Sequence, residues 1–84
     1  MEKYFLYILK CSDQTLYTGI TKNLDRRIKE HNFSDLGAKY TSGRRPVKLV
    51  YSQEFANRSA ALKEEARIKK LSRLRKLEMT GNKV

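Results

Sequence analysis

Eighty-four residues with 39% hydrophobic content, three Phe and five Tyr can bury one thin core, which excludes a second domain and a wholly disordered tail. Nineteen Lys and Arg against nine Asp and Glu leave a net charge of +10, which points to a polyanion: nucleic acid first, an anionic membrane surface second. A single cysteine, Cys11, excludes an internal disulfide and suits a reducing cytosol. No apolar run approaches a membrane span and no signal-peptide core opens the chain, so a soluble, cytoplasmic protein is expected.

In chain order, residues 3–10 (KYFLYILK) read as a strand buried on both faces, closed by the turn formers Ser12 and Asp13. Residues 15–20 (TLYTGI) read as its antiparallel hairpin partner, and Gly19 inside it marks a bulge or a close backbone approach. Thr21 to Asn23 offer caps for a first helix over about 24–32, with Leu24, Ile28 and His31 at helical spacing. Residues 33–45 have no periodicity and read as a loop. Pro46 opens a third strand from Val47 to Ser52. Asn57 or Ser59 then caps a helix whose apolar side carries Ala60, Ala61, Leu62, Ala66 and Ile68, and Ser72 caps a last short helix ending near Met79 with Gly81 as its stop. This order predicts an α+β fold, a small three-stranded antiparallel sheet flanked by helices, in one domain over 1–84 with its core at about 3–77.

Charge is uneven along that order. Only Lys3 and Lys10 are basic in the first 21 residues, whereas Lys63, Arg67, Lys69, Lys70, Arg73, Arg75 and Lys76 crowd the last two helices. The early segment therefore reads as core, with the cations on later helices and a loop. Lys39, Tyr40, Thr41, Arg44 and Arg45 make that loop basic and aromatic, able to contact phosphates and stack a base.

The inventory eliminates most nuclease chemistries. Only Glu64 and Glu65 are adjacent among scattered acids, which leaves no carboxylate set for a metal pair. One histidine excludes designs built on paired histidines, no Cys/His cluster can hold zinc, and the four glycines at 19, 37, 43 and 81 form no phosphate-cradling loop. What remains is a site of tyrosines, an arginine, and one carboxylate holding one hard cation. Magnesium keeps most of its waters and needs one or two carboxylates. Arginine supplies a forked donor to phosphate oxygens. A tyrosine can accept a proton where cations stabilise its phenolate.

Tyr7-Ile8-Leu9, then Tyr17-Thr18-Gly19, then Arg26-Arg27 and His31, and finally the late helix around Glu64-Glu65-Ala66-Arg67-Ile68 together resemble the catalytic core of the GIY-YIG nuclease superfamily. The resemblance spans roughly residues 4 to 77 and is closest to the small single-domain members, including the loop GAKYTSGRRP at 37–46. Two positions depart from the family pattern: the first motif reads Phe5-Leu6-Tyr7, without its glycine, and Thr18 replaces the central isoleucine of the second. A late asparagine of larger members is not carried over to Asn82, and no separate DNA-recognition domain accompanies the motifs.

The resemblance implies a metal-dependent endonuclease that hydrolyses DNA phosphodiester bonds, similar to the nuclease module of structure-selective enzymes. DNA stands ahead of RNA as substrate, and a protein partner or a dimer would be needed to cut both strands. In that reading Tyr7 or Tyr17 deprotonates or orients the attacking water, Arg27 stabilises developing charge, and His31 relays a proton or orients a water. Glu65 holds Mg²⁺ or Mn²⁺, with Glu64 as the substitute. Gly19, Arg26, Lys39, Tyr40, Arg44, Arg45, Lys69 and Lys70 contact nucleic acid. The alternative is a nucleic-acid-binding module of the same fold without turnover. Each residue also has a bland reading: core aromatics for the tyrosines, a plain bulge for Gly19, a solvated helix face for Arg27, an i,i+4 partner of Lys69 for Glu65, and a favourable helix end for His31.

Overall fold

The computed structural model describes residues 3–34 and 36–80. β1 (Tyr4–Lys10) is apolar at nearly every position because it is the central strand, paired antiparallel with β2 (Leu16–Thr21) on one side and β3 (Lys48–Phe55) on the other. Strand side chains alternate between faces. Tyr7, Leu9 and Cys11 therefore face one cluster with Val47, Leu24 and Ile28, while Leu6 and Ile8 face another with Ile68, Val50, Tyr51 and Leu71. Covering both faces of one short strand is how a thin chain builds a core.

The hairpin closes through Cys11 N–H to the Thr15 carbonyl at 2.9 Å, with Asp13 accepting from the Thr15 hydroxyl at 2.6 Å. Gln14 takes the left-handed conformation there, at φ 72°. A register shift against β3 falls between Ile8, opposite Tyr51, and Leu9, opposite Leu49. The extra residue, Val50, lets it and Tyr51 both pack towards the Ile8 cluster while Leu49 joins the Leu9 cluster. β3 runs three residues beyond the expected end at Ser52, because Gln53 and Glu54 can stay exposed on an edge strand.

Of the caps available to α1 (Leu24–Phe33), Asn23 is the one used, its side chain accepting from Arg26 N–H. Similarly, Asn57 rather than Ser59 caps α3 (Arg58–Lys69). The expected loop at 33–45 is corrected: α2 (Lys39–Ser42) forms one helical turn inside it. Four residues carry no periodicity, so this turn exists through tertiary contacts and not through local pattern. Gly37 makes it possible by closing on α1, since a Cβ there would stand 2.7 Å from the Glu30 carbonyl. Arg45 fastens the far end, its guanidinium donating to the carbonyls of His31, at 2.6 Å, and Ser34 at the end of α1. α4 (Arg73–Met79) is capped by Ser72 and ends at Thr80; Gly81, expected as its stop, lies outside the described residues. No helix among the described residues is long and apolar enough to cross a membrane.

Candidate active site

The strand register brings the first two tyrosines to one face. Tyr7 on β1 lies opposite Gly19 on β2, so Tyr17, two residues earlier, points the same way. The Tyr7 and Tyr17 rings stand 6.4 Å apart. α1 crosses that face and presents Arg27 and His31, four residues apart on one stripe. His31 is fully buried, its Nε2 hydrogen-bonded to the Tyr7 hydroxyl at 2.9 Å, and its ring meets Tyr17 edge-on at 5.2 Å.

Gly19 is the close-approach case, not a bulge. A Cβ at this position would stand 2.6 Å from the Tyr7 hydroxyl oxygen and 2.8 Å from the ring carbon bearing it. Only a hydrogen at that position lets the phenol lie against β2 with its oxygen turned to α1.

The electrostatics follow from this burial. The Tyr7 phenol is pushed up to about 12, first by burial and further by Tyr17 and Glu65, while the positive Arg27 guanidinium pulls the other way. His31 is lowered to about 4, first by burial and then by the Arg27 and Arg45 charges, with Glu30 opposing. Both groups are neutral near pH 7. Arg27 is held beside them by Glu30 at 2.8 Å and by the Leu36 carbonyl at 2.8 Å, which aims it without neutralising the local field entirely.

Tyr7, Tyr17, Arg27 and His31 are thus together. Glu65 comes from α3, and its charge reaches Tyr7. Its side chain is 18% exposed, and its carboxylate pairs with Lys69 at 3.3 Å. Its neighbour Glu64 turns instead to a two-pronged pair with Arg67 at 2.7 Å. Among the described residues no three His, Cys, Asp or Glu side chains gather to hold a metal.

The residues assigned to a nucleic-acid surface divide. Tyr40 stacks on Tyr17 at 5.8 Å and carries the Arg44 guanidinium 4.1 Å from its ring centre, so α2 is joined to the cluster through aromatic rings. Arg44 also pairs with Asp13 at 2.9 Å. The Arg45 fork is occupied by the end of α1. Arg26 reaches Glu30 at 3.8 Å, and Lys39 and Lys70 are exposed outside the hydrogen-bonded cluster. Sequence reasoning overlooked Glu30 and the contact of Thr41 with His31. The i,i+3 spacing of Arg27 and Glu30 offered a signal for the first. Nothing local marked the second: fully buried Thr41 sits 2.8 Å from His31 Nδ1, through a turn that the sequence pattern does not disclose.

Comparison with known proteins gives a consistent family. The profile of the GIY-YIG catalytic domain matches residues 3–78. A UPF0213 protein of Syntrophus aciditrophicus is 54% identical over 79 residues, covering 94% of this chain and 91% of that protein. The UPF0213 protein CPE1444 of Clostridium perfringens is also 54% identical over 79 residues, covering 94% and 84%. The solution NMR structure of the UPF0213 protein BH0048 from Bacillus halodurans superposes with a TM-score of 0.61 at 43% identity, covering 96% of this chain and 85% of that one.

Proposed function

The chain belongs to the GIY-YIG family, and on that footing we propose that it is a metal-dependent endonuclease hydrolysing phosphodiester bonds in DNA, selective for branched or otherwise unusual structures. The observation that carries the reading is the convergence of the Tyr7 hydroxyl, His31 and Arg27, drawn from β1 and α1, around one phenolic oxygen. A purely structural core has little reason to bury a phenol and an imidazole together beside a half-buried guanidinium.

In this reading Tyr7 or Tyr17 orients the attacking water and takes its proton. Burial keeps the Tyr7 phenol neutral at rest, so its phenolate needs the positive charge of Arg27 beside it. Arg27 also faces the non-bridging oxygens as they gain charge. Glu65 fits a hard divalent cation, Mg²⁺ or Mn²⁺: a single carboxylate suits an ion that keeps its waters and would not satisfy zinc. When bound, the metal supplies charge stabilisation at the leaving oxygen. The surrounding cations, including Lys39, Arg44, Lys69 and Lys70, hold the phosphate backbone in a salt-dependent way.

The test is cleavage of labelled duplex, flap, fork and junction DNA in Mg²⁺ and Mn²⁺, with Glu65→Ala alongside. The expected result is cutting by the native chain and none by the variant, with both equally folded. Undiminished cutting by Glu65→Ala removes the metal assignment. One observation favours the second reading, a binding module without turnover: Glu65 already has an internal cation in Lys69. That reading predicts salt-dependent DNA or RNA binding with no product on any substrate.

A further inference from the structure

Beneath the tyrosine–histidine pair lies a second layer of polar contacts that the proposed chemistry does not use. His31 Nδ1 has two neighbours from α2 and its N-cap: the Thr41 hydroxyl at 2.8 Å and the Ala38 backbone N–H at 3.4 Å. The two differ in kind. A hydroxyl rotates to give or take a proton, but a backbone N–H only donates. A proton on Nδ1 would face the Ala38 hydrogen. Among the described residues the Thr41 hydroxyl has one alternative acceptor, the Ala38 carbonyl at 2.9 Å, and that carbonyl already receives N–H groups from Thr41 at 3.1 Å and Ser42 at 3.2 Å. Among the described residues, every group on the Thr41 side stays paired when Thr41 turns its proton to Nδ1, while the Tyr7 hydroxyl turns its own hydrogen away from His31.

We propose that Thr41 and the Ala38 amide hold His31 as the tautomer protonated at Nε2, so that His31 is a fixed hydrogen-bond donor to the Tyr7 oxygen and not a proton relay. Thr41 is then a positioning residue, acting through His31. The consequence for Tyr7 is concrete. Its oxygen receives the His31 Nε2 N–H and feels the positive charge of Arg27, and both favour the phenolate over the phenol. A proton taken by Tyr7 cannot pass to His31, whose nearer nitrogen is already protonated; it must leave towards solvent. Buried groups with fixed tautomers of this kind act by pre-organised dipoles, without rearrangement as charge develops.

The chain has one histidine, so its ring nitrogens can be read without assignment ambiguity in a long-range ¹H–¹⁵N correlation spectrum. The native protein is expected to give a protonated-type shift at Nε2 and an unprotonated one at Nδ1. Thr41→Val, which keeps the shape and removes the hydroxyl, should move the spectrum towards a tautomer mixture, and Thr41→Ser should restore it. Ala38→Pro removes the fixed donor at a residue whose φ of −65° already suits proline, and should shift the balance further towards Nδ1–H. The cleavage arm rests on the proposed endonuclease activity: kcat of Thr41→Val should fall about tenfold or more with KM unchanged, as removal of a donor aimed at developing charge implies. The spectra need no substrate, so a failure to cut DNA leaves the tautomer result to stand or fall alone. A proton found on Nδ1 in the native protein overturns the proposal, as does a Thr41→Val and Ala38→Pro pair whose spectra match the native one.

Discussion

The two faces of β1 carry cores of different character. Towards α3, Leu6 and Ile8 pack with Ile68, and buried Thr18 lies opposite Ile8 on the same face. Towards α1, Tyr7 shares its face with fully buried His31 and Thr41, joined by hydrogen bonds. The apolar face gains stability from every buried methylene, about 0.8 kcal/mol each. The polar contacts on the other face add little net to its Leu9 and Val47 packing, because each of those groups would be bonded to water in the unfolded chain. The α1 face thus carries the tyrosine–histidine part of the candidate site along with part of the core, the α3 face carries mainly the fold, and the difference should appear in mutants.

Ile68→Ala should cause the largest loss of stability, about 2–5 kcal/mol, since a fully buried side chain leaves a cavity between β1 and α3. Denaturant titration measures it. The His31 ring signals should barely change in the fraction that stays folded, and a collapse of those signals would show that the faces are not separable.

Acid should act from the opposite face. His31 stands at about 4 in the folded chain against an ordinary 6.5, so between those values only the unfolded chain takes up the proton. Stability is then fully present above pH 6.5 and falls as the pH drops towards 4, by up to about 1.4 kcal/mol per pH unit. Stability measured along this range should lose that component of its slope in His31→Gln. An equal slope in both proteins would place the acid sensitivity in the carboxylates instead.

These two faces were unequally legible in the sequence. The doubly buried strand 3–10, the hairpin and the caps at Asn23, Asn57 and Ser72 follow from local chemistry, because alternation and capping act within a few residues. The pairing of Tyr7, Tyr17, Arg27 and His31 was readable only through motif resemblance, since nothing in strand periodicity says which tyrosine faces a helix. α2 was not readable at all. Its single turn is held by Gly37 against α1, by Arg45 on the His31 and Ser34 carbonyls, and by Thr41 on an imidazole ten residues away. Such contacts follow from the tertiary arrangement, and no window of sequence contains them.

Gly19→Ala sharpens the comparison at intermediate size. The added methyl meets the Tyr7 hydroxyl oxygen at 2.6 Å, so the phenol or the strand must move, at about 1–3 kcal/mol. Its effect on the site should exceed its effect on the fold: the Tyr7–His31 contact should break, visible as a shifted Nε2 signal, and any cleavage activity should be lost while the cooperative unfolding transition survives. A variant that unfolds outright would mean that Tyr7 anchors the structure as firmly as Ile68 does.

The smallest expected effect tests how Glu65 is placed. Asn57 accepts from the Ala60 N–H at 2.8 Å and fixes the first turn of α3, two turns before Glu65. Removing the cap with Asn57→Ala should cost about 1 kcal/mol, read as a small shift in the denaturant midpoint. Glu65 itself should not move, because fully buried Ala61 and Ile68 clamp α3 on both sides of it. Divalent-cation binding followed through the Glu65 amide should then match the native chain within about twofold, well under the tenfold that 1.4 kcal/mol would give. A loss of binding much larger than the loss of stability would mean that the start of α3, and not its packing on the apolar face, aims the carboxylate.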